Sequence, residues 1–409
     1  MENNKIAIQK IINDDVESAV FKALDLIEAK KLMSKKNMNI LIKPNILNDK
    51  PPERAVTTHP KVLKAVIKWL KQFEPNKIIV AESSGGQKIG YTEKCMKGSG
   101  ILEVCREENV ECIPFEKMKI KVYSIENPIV LNELPSSELI KQVDLIINLP
   151  KIKTHGQCIL TCCIKNMFGT VILANKPKIH ATFPTLKEFC AALADIYSVS
   201  KPALTIVDGY LCQEGNGPSA GDVVKMDLIL AGYDGVALDS VVCELIGLNK
   251  EDILYLKFAE QKGLGETNLK KIEIVGESLE NVKRVFKKPR VSPISGPFPR
   301  WISKLMSKKV FKAAVKIDSS KCKLCGTCWS NCPVNALTSP TNNQKLKIPK
   351  WEKNKCISCY CCAELCTYEA IEFKINYIKN VIFSWFGLIM IIFLIGFIFG
   401  IIKLISFLF

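Results

Sequence analysis

Short runs of aliphatic and β-branched residues alternate with stretches of helical period over the first 280 positions. Asn39–Lys43, Lys77–Ala81, Val143–Leu149, Leu204–Val207, Asp227–Ala231 and Ile272–Val275 predict strands, bounded by polar or turn residues. Apolar positions spaced three and four apart predict helices over Val16–Met33, Pro60–Phe73, Leu186–Tyr197, Gly235–Ile246 and Asp252–Lys262. Strands that alternate with helices of this length imply an α/β body, residues 1–280, with a parallel-rich sheet covered on both faces. No internal repeat is visible within it.

Ligands of such sheets collect beyond the carboxyl ends of the strands, so the residues just after each strand carry the chemistry. Here Lys43-Pro44-Asn45 follows the first run and Glu82-Ser83-Ser84-Gly85-Gly86 the second. Pro150-Lys151-Ile152-Lys153-Thr154-His155 follows the third, and Asp208-Gly209 the fourth. Crowding Lys43, Lys151, Lys153, Lys165 and His155 is costly unless an anion binds there or carboxylates such as Glu82, Asp208 and Glu214 pair with them. Gly85-Gly86 and Gly215-Asn216-Gly217-Pro218 permit a close backbone approach, but neither is a phosphate loop. No G-x-G-x-x-G run follows a strand, which argues against a nicotinamide site and leaves a flavin or other organic cofactor open without indicating one. Cys158, Cys162 and Cys163 lie near His155 in sequence. Packed core thiols are the simpler reading of them than a Cys–His nucleophile. His59 reads as a helix-start residue and His180 as a loop residue.

The chain has eighteen cysteines, nine of them between Cys322 and Cys366. Met1 to Lys10 holds no apolar signal segment, so a metal site in a reducing compartment is expected rather than a disulfide framework. Cys322, Cys325, Cys328 and Cys332, then Pro333, keep the C-x2-C-x2-C-x3-C-P spacing. Cys356, Cys359, Cys362 and Cys366 repeat it, with Thr367 in place of the proline. A zinc ribbon needs only paired C-x2-C, whereas two such runs imply two [4Fe-4S] clusters, the fourth cysteine of each run serving the other cluster. Cys322, Cys325, Cys328 and Cys366 would hold one, and Cys356, Cys359, Cys362 and Cys332 its partner. Cys361 falls between ligands as a bystander. Residues 317–374 therefore resemble a bacterial two-cluster ferredoxin, a small α+β domain.

Between the two units, residues 281–316 hold eleven Lys or Arg and no Asp or Glu, interleaved with prolines and aromatic residues. With a formal charge of +16 the chain suits an anionic partner, and this basic linker suits a lipid surface better than nucleic acid. Val381–Ile402 is uncharged over 22 residues, sixteen of them Val, Ile, Leu or Phe. As a helix it would span about 33 Å, the thickness of a hydrocarbon core. Lys374 and Lys379 before it, and clusters that need a reducing compartment, place the soluble units on the cytoplasmic side of a tail-anchored membrane protein.

Asn148-Leu149-Pro150-Lys151-Ile152-Lys153-Thr154-His155-Gly156 and Ile164-Lys165-Asn166-Met167-Phe168-Gly169 resemble the signature of the domain of unknown function 362 family. So do Lys43-Pro44-Asn45-Ile46, Thr57-Thr58-His59-Pro60, Asp208-Gly209, Glu214-Gly215-Asn216-Gly217-Pro218, and Asp234 through Asp239. The resemblance spans roughly Ile40 to Gly247; fusion to a two-cluster ferredoxin is familiar for this family. The expected function is that of a membrane-attached iron–sulfur oxidoreductase that passes electrons from a soluble donor to an anionic small molecule. In it Lys43, Lys153 and Lys165 bind the anion with Asn45, Lys151 and Asp208 beside them. His155 donates a proton and Glu214 or Asp208 orients it. Two rivals are a non-catalytic electron-transfer or docking subunit, and a non-redox enzyme with structural or sensing clusters.

Overall fold

The computed structural model of the protein describes residues 4–289, 314–340, 348–374 and Phe393. Ten strands, numbered along the chain, build its central sheet. They are β1 (Lys5–Lys10), β2 (Asn39–Pro44), β3 (Lys77–Glu82), β4 (Glu111–Pro114), β5 (Leu145–Leu149), β6 (Lys151–His155), β7 (Ile159–Thr161), β8 (Leu204–Glu214), β9 (Asp222–Gly232) and β10 (Glu273–Gly276). The order across the sheet is β10-β1-β9-β8-β5-β2-β3-β4, and β6 pairs with both β8 and β7. Six of these nine pairings are parallel, which gives the mixed α/β body its parallel-rich sheet.

Alternation along the strands sends side chains into two cores. Ile40, Ile42, Ile78 and Val80 face one layer, where helices Val16–Leu26 and Pro60–Lys71 lie. Leu41, Ile79 and Ala81 face the other, covered by Leu186–Ser200, Gly235–Leu245 and Leu254–Gln261. Strands buried on both faces read as continuous apolar runs, which is why β2, β3 and β5 are visible in the sequence.

Several expectations are corrected by the fold. The helix from Val16 ends at Leu26 because Glu28 takes a left-handed φ of 56°, and only a 3-10 turn, Ala29–Met33, follows. Asp208-Gly209 does not follow the end of a strand: it lies inside the eleven-residue strand β8, with a bulge between Gly209 and Leu211. The loop expected after β5 is strand β6. Pro150 separates β5 from β6 but keeps the line, its carbonyl accepting the Asp208 N–H at 2.8 Å. His180 sits in a helix, Asn175–Thr182, rather than in a loop.

The C-terminal unit is a small α+β module with its own apolar core. Ala314–Ile317 pairs antiparallel with Ile371–Lys374, and Leu337–Thr338 with Lys350–Trp351; each cysteine run leads into a one-turn helix, Thr327–Ser330 or Cys361–Glu364. The expected linker is shorter than its sequence boundaries. Phe286 is buried, Arg284 and Phe286 donate backbone N–H groups to Leu245 and Ile246, and Ala314 already begins the module. Positions 290–313 lie outside the described residues, as does the expected membrane span Val381–Ile402 apart from Phe393. Among the described residues no helix is long and apolar enough to cross a membrane.

Candidate functional site

The two cysteine runs wrap two voids. One, of about 350 Å³ including space open to solvent, is lined by Cys322, Cys325, Cys328 and Cys366; the other, of about 330 Å³ on the same measure, by Cys332, Cys356, Cys359 and Cys362. Each run curls through left-handed residues at matching positions, Leu324 and Gly326 in the first and Ser358 and Tyr360 in the second. That turns the thiols of a short segment toward one point. Backbone N–H groups of Ala336 and Ala370 donate to the sulfurs of Cys332 and Cys366 at 3.1 and 3.3 Å. Four thiols around one void, with N–H donors aimed at sulfur, fit the donor set of a cuboidal iron–sulfur cluster.

A third cavity lies where the strand ends of the body meet this module, enclosing about 740 Å³ of space that is partly open to solvent. The body contributes Asn45, Glu82, Lys153, Lys165, Lys176 and His180; the module contributes Asn331, Cys361, Glu364 and Leu365. Polar contacts seat the module on the body. Thr367 donates to Asp49 Oδ1 at 2.8 Å, which a proline at that position could not do. Glu369 accepts from Lys50 at 2.7 Å and from Arg54, and Asn331 Oδ1 accepts the Gln87 N–H at 2.7 Å. Gly85 packs closely on the module: a Cβ there would lie 2.6 Å from the tip of the Leu365 side chain, which would have to shift.

The cations of the site are held in different ways. Lys43 and Glu82 form a buried ion pair at 2.6 Å with Glu82 in the cleft floor and Lys43 behind it, and Lys151 and Asp208 form another at 2.7 Å that is fully enclosed. Gly169 packs so tightly on the first pair that a Cβ would lie 2.0 Å from Glu82 Oε1. Lys153 is also buried, but its Nζ donates only to neutral oxygens, Asn45 Oδ1 at 2.8 Å and the Val56 carbonyl at 2.7 Å. Burial, then the like charges of Lys165 and Lys151, push it well below the usual lysine value. Partly buried Lys165 lies over the Phe168 ring at 5.9 Å and has no ion-pair partner among the described residues. Lys176 donates to the Ser83 and Ser84 carbonyls at 2.6 and 3.1 Å; burial brings it down to about 8, against the pull of Glu82.

Lys153, Lys165 and Asn45 therefore line the cleft as expected positions. Lys43, Lys151 and Asp208 do not; they are internal pairs below it, because β6 and β8 are in register at Lys151 and Asp208. Glu214 is elsewhere, accepting the Lys287 N–H at 2.9 Å. Neither Glu214 nor Asp208 orients His155: its Nδ1 accepts the N–H groups of Gln157 and Cys158, and its Nε2 faces Glu364 Oε1 at 3.2 Å, off the line of a hydrogen bond. Burial and Lys165 hold His155 at about 4, so it is neutral near pH 7 and not a stocked proton donor. The cysteines beside it belong to the core. Cys162 and Cys163 are pushed up by burial, Cys162 to about 11, and Asp239 beside them accepts the N–H groups of Cys163 and Ile164.

Lys176, His180, Cys361 and Glu364 also line the cleft, although the sequence gives none of them a site role, His180 reading as a loop residue and Cys361 as a bystander. The first two are four apart on one helix face, a spacing that is visible but unremarked in a polar segment. His180 stacks on Phe189 at 4.2 Å and leaves Nδ1 without a partner among the described residues. Cys361 and Glu364 are hidden inside a metal motif that accounts for their neighbours.

A family model described as domain of unknown function (DUF362) matches residues 40–244, and one described as a 4Fe-4S binding domain matches residues 315–338. The thylakoid-associated protein sll1697 of Synechocystis sp. is 28% identical over 263 residues, 64% of this chain and 79% of that protein. Among solved structures, the lactate racemase apoprotein of Thermoanaerobacterium thermosaccharolyticum is 18% identical, with a TM-score of 0.39 over 60% of this chain and 58% of that one. A protein of Thermotoga maritima is 14% identical, with a TM-score of 0.35 over 62% and 60%. The chain thus spans about three fifths of each of those two structures. With half its length matched by one model and an iron–sulfur domain joined behind it, the chain belongs to the domain of unknown function 362 family, in a form fused to a 4Fe-4S binding domain.

Proposed function

We propose that the protein is a membrane-attached iron–sulfur oxidoreductase in which an anionic small molecule, bound at the strand ends, exchanges electrons with two [4Fe-4S] clusters in the C-terminal module. The observation that carries this reading is the shared wall of the cleft: Lys153, Lys165 and Lys176 line it on one side and Cys361 and Glu364 on the other. Cys359 and Cys362, on either side of Cys361, line the nearer cysteine void. The clusters would supply or accept single electrons. The residues of the chain would do the rest. Lys165, without an ion-pair partner among the described residues, and Lys176 would bind the anion, with Lys153 behind them; Phe168 and Leu365 would exclude water; His155 would face Glu364 rather than touch the ligand. The soluble donor, the cytoplasmic side and a tail anchor at Val381–Ile402 complete the proposal, supported by the uncharged tail and by a relative that is itself called thylakoid-associated.

Anaerobic purification of the full chain tests it. About eight irons with matching sulfide per chain, and a co-purifying anion that is lost in Lys165→Ala with iron retained, are expected. Zinc in place of iron, or an anion retained by that variant, would sink the proposal.

A further inference from the structure

The two cysteine voids differ in what surrounds them. The one-turn helix Cys361–Glu364 serves both the void of Cys332, Cys356, Cys359 and Cys362, through Cys362, and the cleft, through Cys361 and Glu364. The other void has an exposed cysteine on its lining. Cys325, one of its four cysteines, is the only exposed thiol among the eighteen. Around it Leu324 is 38% exposed and Tyr368 46%, large side chains left open to solvent among the described residues. Lys321 and Lys323 flank Cys322 on the same loop, both exposed, and neither has a carboxylate partner among the described residues. Near the inner void, by contrast, Lys355 pairs with Glu352 at 2.9 Å. An apolar centre with a basic rim over one thiolate is the anatomy of a small, transient docking surface, and its charge selects the partner.

We infer that the loop of Lys321, Lys323, Leu324 and Cys325 is the docking site of a small acidic one-electron carrier protein. This rests on the proposed redox function and adds to it an order: electrons enter at the outer cysteine void and leave at the inner one, next to the cleft. In the encounter the reduced carrier would give one electron to the cluster that Cys322, Cys325, Cys328 and Cys366 would hold, the carrier being oxidised and the cluster reduced by one electron; no bond would be made or broken and no proton would move between the proteins. The net charge of +16 steers an acidic carrier toward the chain, and the two lysines fix where it lands.

The test uses the full chain, prepared anaerobically, and reduced flavodoxin of net negative charge, followed by the flavin's own absorbance in stopped flow. In Lys321→Glu/Lys323→Glu the second-order rate should fall about tenfold or more, and its decline between about 50 and about 300 mM salt should flatten. Iron content and reduction by dithionite should be unchanged, since neither lysine is a thiolate ligand and both are exposed, although Lys323 borders the outer void. Lys353→Glu/Lys355→Glu, near the inner void, should behave as the unaltered protein. Equal loss in that control pair, or no loss in the first, overturns the docking site while leaving the redox function standing. Absence of iron or of dithionite reduction defeats both. If the first pair keeps its flavodoxin rate but loses binding to phosphatidylserine vesicles, the loop faces a membrane and the carrier assignment fails.

Discussion

Lysine is the residue on which this site turns, and its meaning depends on what the ammonium touches. Removing one partner of a fully buried ion pair strands the other charge, which costs about 3–5 kcal/mol. Lys43→Ala would leave Glu82 so stranded, and should show a large fall in urea stability. Lys165→Ala strands nothing; its stability should stay within about 0.5 kcal/mol while affinity for the bound anion drops by about 1–3 kcal/mol. An equal loss of stability in both would make Lys165 scaffold as well. The sequence made all these cations conspicuous but could not sort them, because pairing is decided by register across β6 and β8 and by the reach of Glu82, not by spacing. Histidine 59 was legible as a helix start, and there the structure adds a pH effect. Neutral His59 caps the helix with Nδ1, accepting the Lys61 N–H at 3.2 Å, and burial holds it at about 4, below its ordinary 6.5. Between those values the folded state binds fewer protons than the unfolded one, so stability is present above about pH 6.5 and is lost as pH falls through about 4. His59→Asn keeps a capping side chain and should flatten that slope by up to about one proton. Urea midpoints of the two proteins from pH 7 to pH 4.5 measure the difference; parallel curves would refute it.

At the scale of elements, the strands buried on both faces were readable and the polar ones were not. β2, β3 and β5 carry unbroken aliphatic runs, whereas β6 alternates Lys151, Lys153 and His155 with Ile152 and Thr154, a pattern that looks like a loop until its burial is known. The one-turn helix Cys361–Glu364 was concealed for a different reason. It forms the cleft wall only because the module is seated on the body, and that seating is tertiary. Glu369 is its main ionic tie, to Lys50 and Arg54. Inter-unit contacts of this polar kind open more readily than a core. Glu369→Ala should raise hydrogen exchange at 361–365 and 48–54 together by about an order of magnitude, while the helix Leu186–Ser200 exchanges as before. Exchange that rises everywhere would mean general destabilisation, and no change would mean that Thr367 and Asn331 suffice.

For the whole molecule, two attractions to a membrane are proposed, and they are physically separable. Insertion of the 22 uncharged residues from Val381 is driven by transfer of apolar surface, which added salt does not weaken. Attraction of the eleven cations between 281 and 316 to anionic headgroups is screened within about 10 Å at ordinary ionic strength. The structure already trims the second term, since Lys287 is engaged with Asp222 and Glu214 and the segment up to Pro289 packs on the body. Fewer cations are therefore free than the sequence count suggests. Ending the chain after Asn380 should move the protein from the membrane fraction to one that binds anionic vesicles at low salt and releases them at about 0.5 M. Removing the charges of Arg300, Lys304, Lys308, Lys309 and Lys312 in that shortened chain should abolish the remainder. Full-length protein washed off by salt would show that the tail does not insert, and a shortened chain wholly soluble at low salt would leave the basic segment as a spacer between body and module.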